Sequence, residues 1–293
     1  MQQIENSAAE GVMTRLENGY ELIDSGQQMK LERFGPYVLA RPAAQAVWAQ
    51  SAASAWRGAD ATFTRESSGT GTWEFQRTLP LEWDMNSCGL TWRLRRNDFG
   101  HVGIFPEQEP CWRWIREQVQ HARGASEVLN LFGYTGGSTL SAAAAGARVV
   151  HLDASKTSVK AARDNAELSG LAERPIRWIV EDAVRFVDRE LRRERRYSGI
   201  VLDPPSYGRG ARGETWKIED DMLPFLEKCC RLLDTGPAFV LLSSHSPGFT
   251  PIVLANLLAG FLDGPIESGE MVVHEASGRP LPAGAYARWR RVP

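Results

Sequence analysis

From Val128 onward the chain alternates short apolar runs with amphipathic stretches, and the first turn between them reads Phe132-Gly133-Tyr134-Thr135-Gly136-Gly137. Strands alternating with helices call for a parallel sheet covered on both faces. Residues 128–132, 148–152, 176–180, 199–202 and 238–243 read as strands, and 138–145, 156–168, 183–195, 220–233 and 251–262 as helices. Residues 271–274 and 286–290 fit a closing antiparallel hairpin. The expected fold is a doubly wound α/β sheet, mostly parallel. Ligands of such sheets lie beyond the carboxyl ends of the strands, so the residues just after each strand carry the chemistry.

Upstream the rhythm differs. Residues 1–20 form a polar start, and 20–94 read as short β segments separated by turns such as Ser67-Ser68-Gly69-Thr70-Gly71. The run Tyr37-Val38-Leu39-Ala40 is expected to stop at Arg41-Pro42. Residues 72–76 and 91–95 alternate with period two, and the alanine-rich stretch 43–56 is expected to be helical. Pro110 opens a helix with Trp112, Ile115 and Val119 on one side. We therefore expect a small β-rich N-terminal domain over residues 1–107, suited to substrate recognition, and the α/β domain over 108–293.

The start of the chain lacks the basic and apolar blocks of a signal peptide, which predicts a cytoplasmic protein. Cys88, Cys111, Cys229 and Cys230 show no CxxC spacing, so free thiols are expected and no metal site. The net charge of −2 does not mark a basic nucleic-acid binder, although a local patch can suffice.

The glycine loop is neither GxGxxG nor a P-loop. It suits a carboxylate-bearing amino-acid moiety at a helix N-terminus. The second strand ends in Asp153-Ala154-Ser155, where an acid can accept from both ribose hydroxyls. The third ends in Glu181-Asp182-Ala183, and Asp182 is either a partner for an adenine amino group or a helix N-cap. The fourth ends in Asp203-Pro204-Pro205-Ser206-Tyr207. Its prolines remove two donors and stiffen the turn, and Tyr207 either stacks on a planar substrate or packs into the core.

The runs VLNLFGYTGG (with Asn130), HLDAS, EDA and VLDPPSYGRG together resemble class I S-adenosylmethionine (SAM)-dependent methyltransferases, with a Rossmann-like sheet. They look closest to the branch of large-subunit rRNA cytosine-C5 methyltransferases and their bacterial relatives. The resemblance implies SAM as cofactor and RNA, ribosomal RNA in particular, as substrate. It places Phe105-Pro106-Glu107-Gln108 beside the methionine end of SAM and makes residues 208–217 an active-site loop. Asp203, Pro204 and Tyr207 are then the catalytic candidates. Phe105, Gln108, Asn130, Phe132 to Gly137, Asp153 to Ser155, Asp182, Ala183 and Asp203 are the cofactor candidates.

One departure stands out. The branch implies a nucleophilic cysteine after the fifth strand, but this chain reads Ser243-Ser244-His245-Ser246 there. The covalent cysteine route is therefore not expected. Amine methylation by positioning stays open, as does oxygen methylation with His245 as base (or His245 as a plain core histidine). Arg209, Arg212 and Lys217 are candidate substrate contacts. Arg189, Arg192, Arg193, Arg195 and Arg196 form either a solvated helix end or an RNA patch. Two further readings compete: methylation of a small molecule or protein side chain, and a non-catalytic SAM-binding module.

Overall fold

The computed structural model describes residues 19–66, 69–122, 126–209 and 213–291. The polar start over 1–18, Ser67, Ser68 and Arg212 lie outside the described residues. The N-terminal part is built on a sheet of β1 (Tyr20–Gly26), β2 (Met29–Phe34), β3 (Tyr37–Pro42), β4 (Ala61–Arg65) and β5 (Gly71–Phe75), in that order. A short helix, α1 (Ala53–Trp56), precedes β4, and a separate hairpin, β6 (Glu82–Ser87) with β7 (Leu90–Arg95), follows β5.

Two expectations are corrected here. Strand β3 does not stop at Arg41-Pro42 but runs through both. Arg41 is buried and pairs across the sheet with the buried Glu32 at 2.6 Å. Of the alanine-rich stretch only Ala53–Trp56 is helical. Alanine favours helix only weakly, and tertiary hydrogen bonds prevail. Gln27 N donates to Trp48 O and Gln28 N to Ala46 O. The buried Asp24 carboxylate then takes Ser51 N, Ala52 N and Trp56 Nε1 at 2.7–2.9 Å.

A one-turn 3-10 helix (Pro106–Gln108) leads into α2 (Glu109–His121), and the doubly wound part follows. Its elements are β8 (Glu127–Leu131), α3 (Gly137–Ala144), β9 (Arg148–Asp153), α4 (Lys156–Leu168), β10 (Ile176–Val180), α5 (Ala183–Arg192), β11 (Gly199–Leu202), β12 (Tyr207–Arg209), β13 (Thr215–Lys217), α6 (Ile218–Cys230), β14 (Ala238–Ser244), α7 (Pro251–Ala259), β15 (Ile266–His274) and β16 (Pro280–Arg291). Among the described residues the sheet order is β10-β9-β8-β11-β14-β16-β15. It is parallel through β14, and β16 and β15 close it as the expected antiparallel hairpin. Strands β11 and β14 are buried at every position because helices cover both faces, which is why they read as unbroken apolar runs. Helix α5 is shorter than expected. Past its C-cap Arg193, Glu194 adopts a left-handed conformation (φ 52°).

The N-terminal part is knitted to this sheet. Trp92 of β7 stacks on Trp112 of α2, with ring centroids 5.3 Å apart. Arg93 N donates to Asn165 Oδ1 of α4, and Ser25 Oγ to Glu275 Oε1 in the turn after β15. No described helix is long and apolar enough to cross a membrane.

Candidate active site

Strand order reverses between β8 and β11, so their carboxyl ends form the switch point at which sheets of this kind bind ligands. The sheet delivers to that end the 132–137 loop after β8, Asp153 from β9, Asp182 after β10, Asp203 after β11 and His245 after β14.

Asp203 sits in a tight polar cluster. Gln108 Nε2 donates to Asp203 Oδ2 and also contacts Ser243 Oγ, both at 3.1 Å. Ser243 Oγ donates to Asp203 Oδ1 at 2.8 Å. His245 lies between two acids, with Nδ1 3.6 Å from Asp203 Oδ1 and Nε2 3.2 Å from Glu107 Oε1. Partial burial disfavours the imidazolium, but Asp203 and Glu107 outweigh it and raise the His245 pKa to about 10. Burial likewise opposes ionisation of Glu107, yet His245 holds its pKa below the usual carboxylate value. A cationic imidazole has no free lone pair, so this environment favours His245 as a charged bridge between Asp203 and Glu107 over the base considered from the sequence. Glu107, from the segment that the resemblance places beside SAM, and Ser243, neither of them among the site candidates, complete the cluster.

The glycine loop is wound tightly. Phe132 (φ 58°) and Tyr134 (φ 46°) are left-handed without being glycine, and Gly136 (φ 98°) continues the turn. Such backbone is costly and clusters at ligand sites. Asp153 holds the loop in place, since Tyr134 N donates to its Oδ2 at 2.9 Å and Ser155 N to its Oδ1 at 2.8 Å. Burial pushes the Asp153 pKa up, against the pull of these two N–H groups. Each carboxylate oxygen keeps a lone pair for a further donor. Gly133 and Gly137 are needed for close approach: a Cβ would fall 2.5 Å from the His151 ring and 2.4 Å from the Trp112 ring.

Several candidates shape the crevice from beneath. Asn130 Nδ2 donates to the buried Thr139 Oγ1, Thr135 Oγ1 to Gly103 O, and Asn165 Nδ2 to Thr135 O. Asp182 caps α5 through Arg185 N at 2.9 Å, the alternative weighed from the sequence. Ala183 is buried below it, whereas Ala154 and Ser155 are exposed. The Phe105 ring touches the rings of Tyr134 (5.4 Å) and His245 (5.3 Å), which brings loop and Asp203 cluster together.

Beyond Asp203, Pro204 is buried and Pro205 exposed. Strands β12 and β13 form a hairpin whose Trp216 packs on Phe132 and Phe225 and donates to Pro205 O at 2.8 Å. Tyr207 is not a core tyrosine, being 52% exposed, and Arg209 Nε donates to its hydroxyl at 2.9 Å. Lys217 is exposed, with Asp220 3.7 Å away.

The other arginine group is largely spent on ion pairs: Arg189 with Glu181, Arg193 with Glu190 and Arg195 with Glu127. The cysteines are free, and burial raises Cys88 to about 11 and Cys111 and Cys230 to about 12. Cys229 moves the same way, so none offers a thiolate at neutral pH.

This arrangement has counterparts among known proteins. An S-adenosylmethionine-dependent methyltransferase from Agrobacterium tumefaciens superposes with a TM-score of 0.87 at 38% identity, covering 99% of this chain and 97% of that one. Ribosomal RNA large subunit methyltransferase K/L of Shewanella loihica is 30% identical over 176 residues, which is 59% of this chain and 24% of that protein. The Methylococcus capsulatus protein of the same name is 34% identical over 149 residues, 50% of this chain and 20% of that protein. The chain thus spans about a quarter of the length of these curated relatives. The family model for the S-adenosylmethionine-dependent methyltransferases matches residues 19–256 and so takes in both the N-terminal sheet and the crevice. The chain belongs to the S-adenosylmethionine-dependent methyltransferase family, and SAM is its cofactor.

Proposed function

We propose that this methyltransferase modifies a base of RNA, with ribosomal RNA as the substrate class, and that it does so without a covalent cysteine intermediate. The observation that carries the reading is the exposed Tyr207, held by Arg209 just beyond the Asp203 cluster. An exposed aromatic ring beside a cation is the platform on which a base stacks. The names of the curated relatives point to the same substrate class.

The residues present fit SAM. Asp153 has acceptor capacity left for the ribose hydroxyls. No side chain caps the N-terminus of α3, leaving its first N–H groups for the methionine carboxylate. Asp203, Glu107 and His245 sum to one negative charge at the mouth, which suits a sulfonium. Bound SAM supplies an electrophilic methyl group.

The chain's own residues do the rest by positioning. Asp203 accepts an N–H or O–H of the target group and so aims its lone pair. Gln108 and Ser243 fix both carboxylate oxygens, and the imidazolium of His245 tethers Asp203 to Glu107. Asp203 then receives the proton that the methylated atom releases. The rigid Pro204-Pro205 turn and Tyr207 hold the plane of the base.

The direct test incubates the protein with methyl-labelled SAM and RNA from a strain lacking the gene, then identifies labelled nucleosides. A labelled nucleoside is expected and names the methylated atom. Absence of label in RNA, with SAM binding confirmed in parallel, would replace this reading with a small-molecule or protein substrate. Separately, Asp153→Ala is expected to weaken SAM binding by about 1.5–3 kcal/mol, the scale of hydrogen bonds to a charged group. Unchanged affinity by calorimetry in a folded variant would remove Asp153 from the cofactor site.

A further inference from the structure

A cavity of about 120 Å³ lies between the N-terminal sheet and the segment entering α2, lined among others by Lys30, Arg41, Arg65, His101, Phe105 and Glu107. Its charge is unbalanced. Glu32, fully buried below it, is shared by Arg41 at 2.6 Å and Lys30 at 3.1 Å. Glu107 on the far wall is engaged by His245. Arg65 is exposed, and its one hydrogen bond among the described residues is a long 3.4 Å contact to Phe99 O. Three cations therefore face a space whose two acids are already paired. His101 registers that field: burial first, then Arg41, Arg65 and Lys30, lower its pKa to about 4.

The cavity also adjoins the methyl-transfer site. The Phe105 ring forms part of its wall, 5.5 Å from the His101 ring, and on the other side lies 5.3 Å from His245. The cavity thus shares Phe105 and Glu107 with the surroundings of the Asp203 cluster. The space admits one phosphate-sized group rather than a base with its sugar. Resting on the RNA reading above, we infer that this cavity binds a backbone phosphate of the RNA strand whose base enters the crevice. Lys30 and Arg65 contact the phosphate, and Arg41, locked on Glu32, adds fixed positive charge. The N-terminal sheet thereby sets the register of the strand, since phosphate contacts position a nucleic acid while the base is read elsewhere.

The test is the double variant Lys30→Ala/Arg65→Ala in the full chain. Both side chains lie at the surface of the cavity, and SAM affinity, measured in parallel, is expected to be unchanged. RNA affinity is expected to fall about tenfold or more, with the slope of log affinity against log salt reduced by about 1. In wild type, inorganic phosphate is expected to raise the His101 midpoint in an NMR titration, because an anion reverses the field on that ring. Unchanged RNA affinity and salt slope in the double variant would overturn the inference while leaving RNA methylation intact. Phosphate binding without an RNA effect would overturn it too, assigning the cavity to a small anionic ligand. If wild type labels no RNA, the functional reading fails instead. An unmoved His101 with phosphate would then remove the anion site as well.

Discussion

Asp203→Ala is expected to slow methyl transfer by about 10²–10³-fold in single-turnover kinetics, the usual loss when one preorganised polar group at a reacting centre is removed. SAM binding should weaken by far less than the rate, because Asp203 lends it one charge near the sulfonium while the loop-holding contacts of Asp153 to Tyr134 N and Ser155 N do not involve Asp203. The loss follows from how completely Asp203 is fixed. Both its oxygens are held, by Gln108 and by Ser243, and His245 stands 3.6 Å off. A carboxylate so constrained aims an acceptor without reorganisation at the moment of transfer. Its loss also removes one of the two acids that raise His245, so the His245 midpoint should fall from about 10. A rate within about threefold of wild type would end the assignment of Asp203 to the reaction.

The doubly wound sheet was legible because strands buried on both faces are written as apolar runs. Gly199–Leu202, buried throughout, was bounded to the residue, as was the half-exposed edge strand Ile176–Val180, and the closing hairpin was recognised from its two segments. Residues at strand ends were legible for the same reason, since the topology decides where a residue after a strand must lie. What the sequence conceals is long-range pairing. Nothing near residues 43–52 says that Asp24 will take their N–H groups and keep them from a helix. Nothing near His245 says that Glu107, 138 positions earlier, will hold it charged. The cations Lys30, Arg41 and Arg65 are likewise scattered over three strands and meet only in the folded chain. Asn130, in β8, and Thr135, in the loop, are cofactor candidates whose side chains bond Thr139 and Gly103 O of the loop's scaffold.

The same Asp24 is where stability should be most sensitive. Its side chain is fully buried, and it accepts from Ser51 N, Ala52 N and Trp56 Nε1, from Ser51 Oγ at 2.7 Å, and from Arg279 at 3.3 Å. Arg279 also grips Glu275, which takes Ser25 Oγ at 2.6 Å, so the cluster fastens β1 to the turn between β15 and β16. Asp24→Ala strands several donors and leaves Arg279 with one acid. The expected cost in urea denaturation is about 3–5 kcal/mol, the range for breaking a buried charged network from one side. Asp24→Asn keeps the shape and one acceptor oxygen, and should lose less. Burial opposes ionisation of Asp24, but the donors prevail and lower its pKa below the ordinary value. A lowered folded pKa contributes stability above the unfolded value, about 3.9, and loses it as pH falls through the folded one. The gap between wild type and Asp24→Ala should therefore be constant from about pH 5 to 8 and narrow below about pH 4. A loss under about 1 kcal/mol, or a gap that widens in acid, would mean that hydration of the 43–52 loop replaces the carboxylate at little cost.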